Sequence, residues 1–172
     1  MRVVVERRVR RSAPVVWRHV TDWPWQGASI PLTRVFSTRR AGGLGDTFVG
    51  RTAVLGVGFD DPMEVIRWQE PTAGAPEGRA AEDGAREDGA RAGVAVLRKH
   101  GSVVLGSAAI RVQPLTRGSC LLVWGEDVDV APVALTRPLA PVLRVGAWWG
   151  LRAVVADMVR RVEAATPEPL EP

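Results

Sequence analysis

The sequence lacks tyrosine altogether and contains one cysteine, Cys120, in 172 residues. Without tyrosine, no phenolic hydroxyl is available as a catalytic acid or base. A single cysteine cannot form an internal disulfide, which agrees with a reducing compartment. His19 and His100 are isolated from each other and from the cysteine, and no serine has the context of a nucleophile elbow. The sequence therefore predicts no metal site, no cofactor and no hydrolase triad.

Long apolar runs are also missing. No segment approaches the ~18 apolar residues of a membrane span. The opening residues, MRVVVERRVRR, lack the apolar region of a signal peptide. We therefore expect a cytoplasmic protein with no stable membrane insertion.

The charge is basic overall, with a formal net charge of +4. All but one of the 23 basic residues are arginine, a bias that GC-rich coding produces without selection for binding. Because the arginines are interleaved with 19 acidic residues, no run is typical of a nucleic-acid-binding arm. No nucleic-acid partner is expected.

Strands dominate the middle of the chain. Residues 2–11 alternate between apolar and charged positions, which predicts a half-buried strand. Ser12 is placed to cap a short helix, which Pro24 should end. Further strands are predicted over 33–40, 47–56, 63–70, 94–100, 102–113 and 120–130, with DDP (60–62) as a turn. From about Pro138, apolar residues recur every three or four positions, which predicts a long amphipathic helix.

One segment has a different composition. Residues 71–93 contain no large apolar side chain, and the unit EDGAR occurs there twice in tandem. Such a sequence cannot bury enough surface to offset its ordering entropy, so a disordered insertion is predicted, with an acidic lid as the alternative. The chain then forms one domain over residues 1–166, followed by a flexible tail over 167–172.

The order of elements predicts an α+β architecture. Hairpin-length connections require an antiparallel sheet, and one long helix can cover its single buried face. A curved sheet would leave a pocket between itself and the helix, which is the default ligand site.

Five segments carry a resemblance to a known family: SAPVVWRHVTDW, GGLGDTF, HGSVVLGSAAIRVQP, GSCLLVW and VVADMVRRVEA. In this order they resemble the SRPBCC superfamily of START-like, helix-grip proteins, and within it the polyketide cyclase/dehydrase and lipid-transport family. The resemblance implies a curved antiparallel sheet of about seven strands around a long C-terminal helix. It also implies a short helical segment after the first strand and a deep cavity for lipids or polyketides. It does not fix a reaction. The absence of tyrosine departs from the family cyclases, which tend to line the cavity with tyrosine and arginine.

Glu126 is the candidate catalytic residue. On the last strand it shares a face with Leu122, Trp124 and Val128, where a carboxylate is costly unless it is paired or protonated. It would serve as a cavity acid or as an anchor for the polar end of a ligand. The alternatives are a structural ion pair or a strand end that reaches water.

Two arginines and a second glutamate are possible partners. Arg144 on the helix, or Arg7 on the first strand, would pair with Glu126 or hold an acidic head group. Either arginine would otherwise extend to solvent over an apolar stem. Glu64 is predicted to share a face with Trp68, which would make it a conceivable acid–base partner of Glu126.

The seven tryptophans form either a cavity wall or a filled core. The predicted ligand-binding residues are Trp68, Trp124, Glu126, Arg144 and Trp148. Trp23 and Trp25 are predicted at a mouth of the cavity, around Pro24.

Three functions follow from this interpretation. The first is binding of a hydrophobic small molecule, as a carrier, a sensor or a member of a biosynthetic pathway. The second is an aromatase, cyclase or dehydratase that uses Glu126 and an arginine for proton transfer. The third is a protein-interaction module that uses the groove. The sequence leaves open whether the protein is an enzyme.

Overall fold

The computed structural model describes residues 1–37, 42–54, 57–72 and 91–165, and in these ranges seven strands form one antiparallel sheet. Their bounds are β1 Arg2–Val9, β2 Thr33–Ser37, β3 Thr47–Val54, β4 Val57–Gln69, β5 Gly93–His100, β6 Val104–Thr116 and β7 Ser119–Val130. The strand order is β1-β7-β6-β5-β4-β3-β2, so β2 to β7 form successive hairpins and β1 closes one edge beside β7. The predicted α+β sheet architecture is confirmed.

Four α-helices accompany the sheet in the same ranges: α1 Ala13–Val20, α2 Trp23–Gly27, α3 Val133–Thr136 and α4 Ala140–Ala164. A 3₁₀ turn over Arg137–Leu139 joins α3 to α4. No helix in the described ranges is long and apolar enough to cross a membrane.

The short helical segment after β1 is two helices. The helix that Pro24 is predicted to end at or before Trp23 is α1, which ends at Val20, and Pro24 itself lies in the first turn of a second helix, α2. Proline is tolerated there because the first N–H groups of a helix have no partner within it. Asp22 caps α2 by accepting a hydrogen bond from the backbone N–H of Trp25 at 3.0 Å.

The predicted turn at residues 60–62 is wrong, because these residues lie inside β4. Asp61 pairs with Gly50 and Pro62 with Val49, and the β3–β4 hairpin turns between Val54 and Val57. Aspartate favours turns when its carboxylate bonds to the nearby backbone. The carboxylate of Asp61 bonds instead to the side chain of Lys99 on β5, and the strand continues.

A β-bulge in β4 corrects the predicted face of Glu64. The register with β5 shifts between Val65 and Arg67, so the residues on either side of the shift do not follow one alternation. Trp68 therefore packs inward, whereas Glu64 lies outside and contacts His100, with Nε2 and Oε2 3.1 Å apart. Glu64 cannot act with Glu126.

The core fills the end of the sheet that α1 and the C-terminal half of α4 cover. Trp23, predicted at a cavity mouth, is fully buried and stacks on Phe48 with ring centroids 4.5 Å apart. The buried residues of α4 are Val154, Val155, Met158 and Val162. Most of the tryptophan-rich segment after β1 is therefore core.

The predicted insertion connects the two strands of one β-hairpin, β4 and β5. Gln69 of β4 pairs with Val94 of β5, and the backbone N–H of Thr72 donates to the carbonyl of Arg91 at 3.1 Å. Residues 73–90 and the tail 167–172 lie outside the described residues, so their predicted disorder stays a prediction.

Cys120 is chemically inert in the folded protein. It is fully buried, and this burial raises the pKa of its thiol to about 12. Because the thiolate is the nucleophilic form, the side chain contributes packing only.

Arg161 joins α4 to α2. Its Nη1 donates to the carbonyl of Trp25 at 3.0 Å and to Oγ of Ser29 at 2.7 Å, and its guanidinium lies 4.1 Å from the ring centroid of Trp25. Arg160 next to it is largely exposed and reaches only Asp157.

Arg161→Ala is expected to lower the free energy of unfolding by about 2 kcal/mol, because it removes hydrogen bonds from a charged donor to partly buried acceptors. Urea denaturation measures the difference. Arg160→Ala is the matched control and should change stability by less than about 0.5 kcal/mol. Equal effects of the two variants would show that Arg161 does not join the helices.

The acid stability of the fold should depend on Glu163. The backbone N–H of Arg10 donates to Oε1 of Glu163 at 2.8 Å, and this bond, with the Arg10 side chain, lowers the pKa of the carboxyl below its ordinary value of 4.5. A lowered pKa in the folded state adds stability above the ordinary value, and this stability is lost as the pH falls through the folded pKa. Between pH 5 and pH 3, Glu163→Gln should therefore lose stability less steeply than the parent protein in urea titrations. Parallel pH profiles would contradict this linkage.

Candidate ligand-binding cavity

A cavity of about 150 Å³ lies against the inner face of the sheet. Strands β2 to β7 line it, together with α2 and the segment that follows α2. Its lining residues are Gln26, Ile30, Thr33, Val35, Gly50, Thr52, Asp61, Met63, Leu97, Lys99, Ala108, Trp124 and Glu126. Three ionisable side chains, Asp61, Lys99 and Glu126, thus share one largely apolar space.

Lys99 and Asp61 form a buried ion pair. Nζ of Lys99 lies 2.6 Å from Oδ2 of Asp61, and the two side chains are only 8% and 12% exposed. A second contact places the same Nζ 3.7 Å from Sδ of Met63. An ammonium group has three N–H donors. With one directed to Asp61 and one to the weak sulfur acceptor, a third remains for a group in the cavity.

The second carboxylate oxygen of Asp61 adds unused hydrogen-bonding capacity. Oδ1 is buried and has no hydrogen-bond partner among the described residues. Glycines flank Asp61 on both neighbouring strands, with Gly50 opposite it on β3 and Gly101 at the end of β5. A Cβ on Gly101 would lie 3.4 Å from Oδ1, in ordinary van der Waals contact with the carboxylate.

Gly106 is the residue of β6 that pairs with Lys99 across the β5–β6 ladder. Its φ of +128° is accessible to glycine, and a Cβ there would collide with the carbonyl oxygen of Asp127. The backbone at this position therefore requires glycine, and no side chain of β6 stands directly opposite the lysine.

Glu126 lies on the cavity face of β7, as its alternation predicts. It is half-buried, and in the described part of the chain it has no hydrogen bond or ion pair. It pairs with Ala108, which pairs with Leu97, two residues before Lys99. With strands about 4.8 Å apart and about 3.3 Å per residue, the Cα atoms of Glu126 and Lys99 are roughly 12 Å apart. Both side chains thus project from the inner face of the sheet into the cavity, from strands that β6 separates.

The two predicted tryptophans on the sheet have different surroundings. Trp124 lines the cavity, is 3% exposed, and its indole N–H has no hydrogen-bond partner among the described residues. Trp68 lies elsewhere, against Trp17 with centroids 4.9 Å apart, and its Nε1 donates to Glu70 at 3.3 Å. Trp68 is therefore part of the tryptophan core and does not line this cavity.

Arg144 and Trp148 also lie away from the cavity. Both line a shallow groove beside Arg2 and Val4 at the β1 edge of the sheet. No residue of α4 is part of the cavity lining, because the N-terminal half of α4 follows the edge strand and α2 forms the helical wall. Of the five predicted binding residues, the cavity brings together Trp124 and Glu126.

Arg7 does not pair with Glu126 either. Its side chain is half-buried on the valine face of β1, and Nη1 donates to the carbonyl of Glu6 at 3.2 Å. The guanidinium thus reaches backbone at the sheet edge over an apolar stem. The cation of the cavity is Lys99.

Sequence reasoning missed Lys99 and Asp61, although each left a signal. Lys99 is the single lysine among 23 basic residues, and alternation along β5 places it on the face of Ala95 and Leu97. Asp61 was assigned to a turn because DDP has turn-forming composition. A strand through that segment would have placed Asp61 on the face of Met63 and Val65.

Comparison with known proteins identifies the fold. No family model and no curated protein sequence matches this chain. Among solved structures it is similar to the ZhuI aromatase/cyclase of Streptomyces sp. R1128, with 20% identity, a TM-score of 0.57, and 95% of this chain and 96% of that one covered.

Two further structures have the same architecture. Truncated norcoclaurine synthase of Thalictrum flavum shares 15% identity at a TM-score of 0.57, covering 96% of this chain and 95% of that one. A START superfamily protein of Mycobacterium smegmatis shares 16% identity at a TM-score of 0.56, covering 94% and 98%. At these identities the likeness concerns the fold and carries no residue roles. The chain thus has the helix-grip α+β fold that these structures share.

Proposed function

We propose that the protein binds a small hydrophobic molecule in this cavity, with the polar end of the ligand held by Lys99 and Glu126. The observation that carries the proposal is the ion pair of Lys99 and Asp61 in a largely apolar cavity, with one ammonium donor unused. Ligand sites combine apolar walls with a few convergent polar groups that orient the ligand. The carboxylate of Glu126, which has no partner among the described residues, supplies a second polar group from β7.

Cavity size limits the ligand. A cavity of about 150 Å³ holds a molecule of roughly benzene size. Drug-sized ligands occupy about 300–1,000 Å³. The proposed ligand is therefore a single-ring molecule, or the ring of a larger molecule whose remainder extends out of the cavity.

Charge limits the ligand further. One ammonium and two carboxylates give the lining a net negative charge when all three are ionised. An anionic ligand would meet the unpaired Glu126 without a compensating cation. A neutral ligand with a carbonyl oxygen that accepts from Lys99 and a hydroxyl that donates to Glu126 would form hydrogen bonds with both side chains.

Stability alone does not account for the ion pair. Removing one partner of a buried pair commonly costs about 3–5 kcal/mol, whereas replacing both with apolar residues of similar volume is often neutral or stabilising. A variant that lacks both charges therefore separates folding from binding.

The double variant Lys99→Met with Asp61→Val should fold with a stability near that of the parent protein. Its affinity for 4-hydroxyacetophenone should fall on the order of tenfold, because a charge-assisted hydrogen bond contributes about 1.5–3 kcal/mol. Tryptophan fluorescence measures binding, since Trp124 lines the cavity. Ethylbenzene, which has the ring but no polar group, is the matched probe and should bind both proteins equally. Equal loss of both probes would point to a collapsed cavity, and unchanged binding of both would refute the role of Lys99.

An unbiased search for the natural ligand complements this test. Native mass spectrometry of freshly purified protein, followed by organic extraction, should detect a bound molecule that contains a single ring with carbonyl or hydroxyl groups. A folded protein that carries no ligand and binds neither probe would overturn the proposal.

Acid–base catalysis on such a ligand is the second candidate function. It is favoured by the placement of Lys99 and Glu126 in one cavity, where the lysine replaces the arginine that the sequence suggested. The ammonium would polarise a ligand carbonyl, and the Glu126 carboxylate would accept a proton from the adjacent carbon, leaving an enol or enolate. Cyclase, aromatase and dehydratase reactions all use such a step.

The expected signature of this chemistry is exchange of the methyl protons of acetophenone, which has no ring hydroxyl to occupy Glu126, with deuterated water, followed by NMR. The parent protein should accelerate the exchange, and Glu126→Gln should lower the rate by at least about a hundredfold, since general acid–base catalysis contributes about 10²–10⁴. Glu64→Gln on the outer face is the control and should leave the rate unchanged. Binding without exchange in the parent protein would mean that the site binds and does not catalyse.

A further inference from the structure

An apolar stripe that faces solvent begins at Leu139, the N-cap of α4, and continues along the first half of that helix. Leu139, Val142, Val145 and Trp149 follow one another at spacings of three, three and four residues, which aligns them along one side of the helix. Val142 is 73% exposed and Trp149 61%, and the other two are each 56% exposed. The stripe is about 15 Å long, at about 1.5 Å per residue.

This stripe does not contribute to the core. Val155, Met158 and Val162, which bury the second half of α4, lie roughly on the opposite side of the helix at 3.6 residues per turn. Beyond Trp149 the stripe continues as alanine and then Arg160. Large apolar side chains exposed side by side on a soluble protein commonly mark an interaction surface.

The segment that carries the stripe is basic. Residues 131–156 contain three arginines and no aspartate or glutamate, and Asp129 of β7 and Asp157 of α4 lie just outside this range. Arg152 flanks the stripe, and its guanidinium lies 5.4 Å from the ring centroid of Trp148, which meets Trp149 edge to face. The nearest acids on β7, Asp127 and Asp129, lie 3.5 and 3.4 Å from the amino terminus.

We propose that this stripe docks on an anionic lipid membrane surface. Interfacial helices bury large apolar residues among the lipid head groups, hold tryptophan at the boundary and place arginine against anionic lipids. The stripe combines these three features over a short length, which predicts weak, reversible binding. A second copy of the chain is disfavoured, because a symmetric contact across the stripe would bring the two Arg152 side chains close together. The inference is independent of the cavity ligand.

Vesicle co-sedimentation tests the proposal. The protein should bind vesicles of equimolar phosphatidylglycerol and phosphatidylcholine, should bind pure phosphatidylcholine far more weakly, and should be released by salt. Val145→Ser combined with Trp149→Ser should weaken binding on the order of tenfold by removing the apolar contact. Arg152→Gln should weaken it about fivefold, the factor for one basic residue near an anionic surface.

The matched control is Phe36→Ser combined with Leu44→Ser. It removes one exposed aromatic and one exposed aliphatic side chain, from β2 and from the β2–β3 connection, and should leave vesicle binding unchanged. Failure to bind phosphatidylglycerol vesicles, or equal loss in the control variant, would overturn the proposal. A stable dimer in light scattering would also overturn the proposal if the double variant Val145→Ser with Trp149→Ser dissociated it. The stripe would then be covered by a second copy of the chain.

Discussion

The inner face of a curved antiparallel sheet must be covered from one side. In this chain only α1, α2 and the second half of α4 provide that cover. α1 and the second half of α4 bury one end of the face under valine, methionine and tryptophan. At the other end the short α2 and the segment after it provide the wall, and a cavity remains. The first half of α4 follows the edge strand and presents apolar residues outward. The cavity and the solvent-facing stripe thus have one origin: only the second half of α4 covers the inner face of the sheet, and the first half does not.

The ion pair of Lys99 and Asp61 lies at the end of the sheet where coverage is thin. An isolated charge would be costly there, but each partner compensates the other at 2.6 Å. The residues paired with Asp61 on β3 and with Lys99 on β6 are glycines, Gly50 and Gly106, which add no side chain beside the pair. Such a pair holds a donor in a fixed place without filling the cavity. Preorganised polar groups of this kind orient a ligand without a cost of rearrangement on binding.

The regular parts of the fold were predictable because each rests on a local pattern. Alternation correctly placed Trp124 and Glu126 on the inner face of β7, and the three- and four-residue spacing identified the buried side of α4. The errors lie where one local feature overrides the pattern. A single bulge separates Glu64 from Trp68, and an aspartate that bonds across strands was mistaken for a turn residue. The path of α4 along β1 depends on packing between distant segments, so its spacing could not place Arg144 or Trp148 relative to the cavity.

The identity of the cavity cation is itself informative. Composition favours arginine at every basic position of this chain, yet the basic residue that lines the cavity is lysine. A guanidinium would meet a carboxylate with two parallel hydrogen bonds and would occupy more of a cavity of about 150 Å³. The compact ammonium binds Asp61 through one donor and keeps another for a ligand. The one lysine of the chain therefore lies at a position where arginine would leave less of the cavity free. This agrees with the proposal that the residue binds a ligand there.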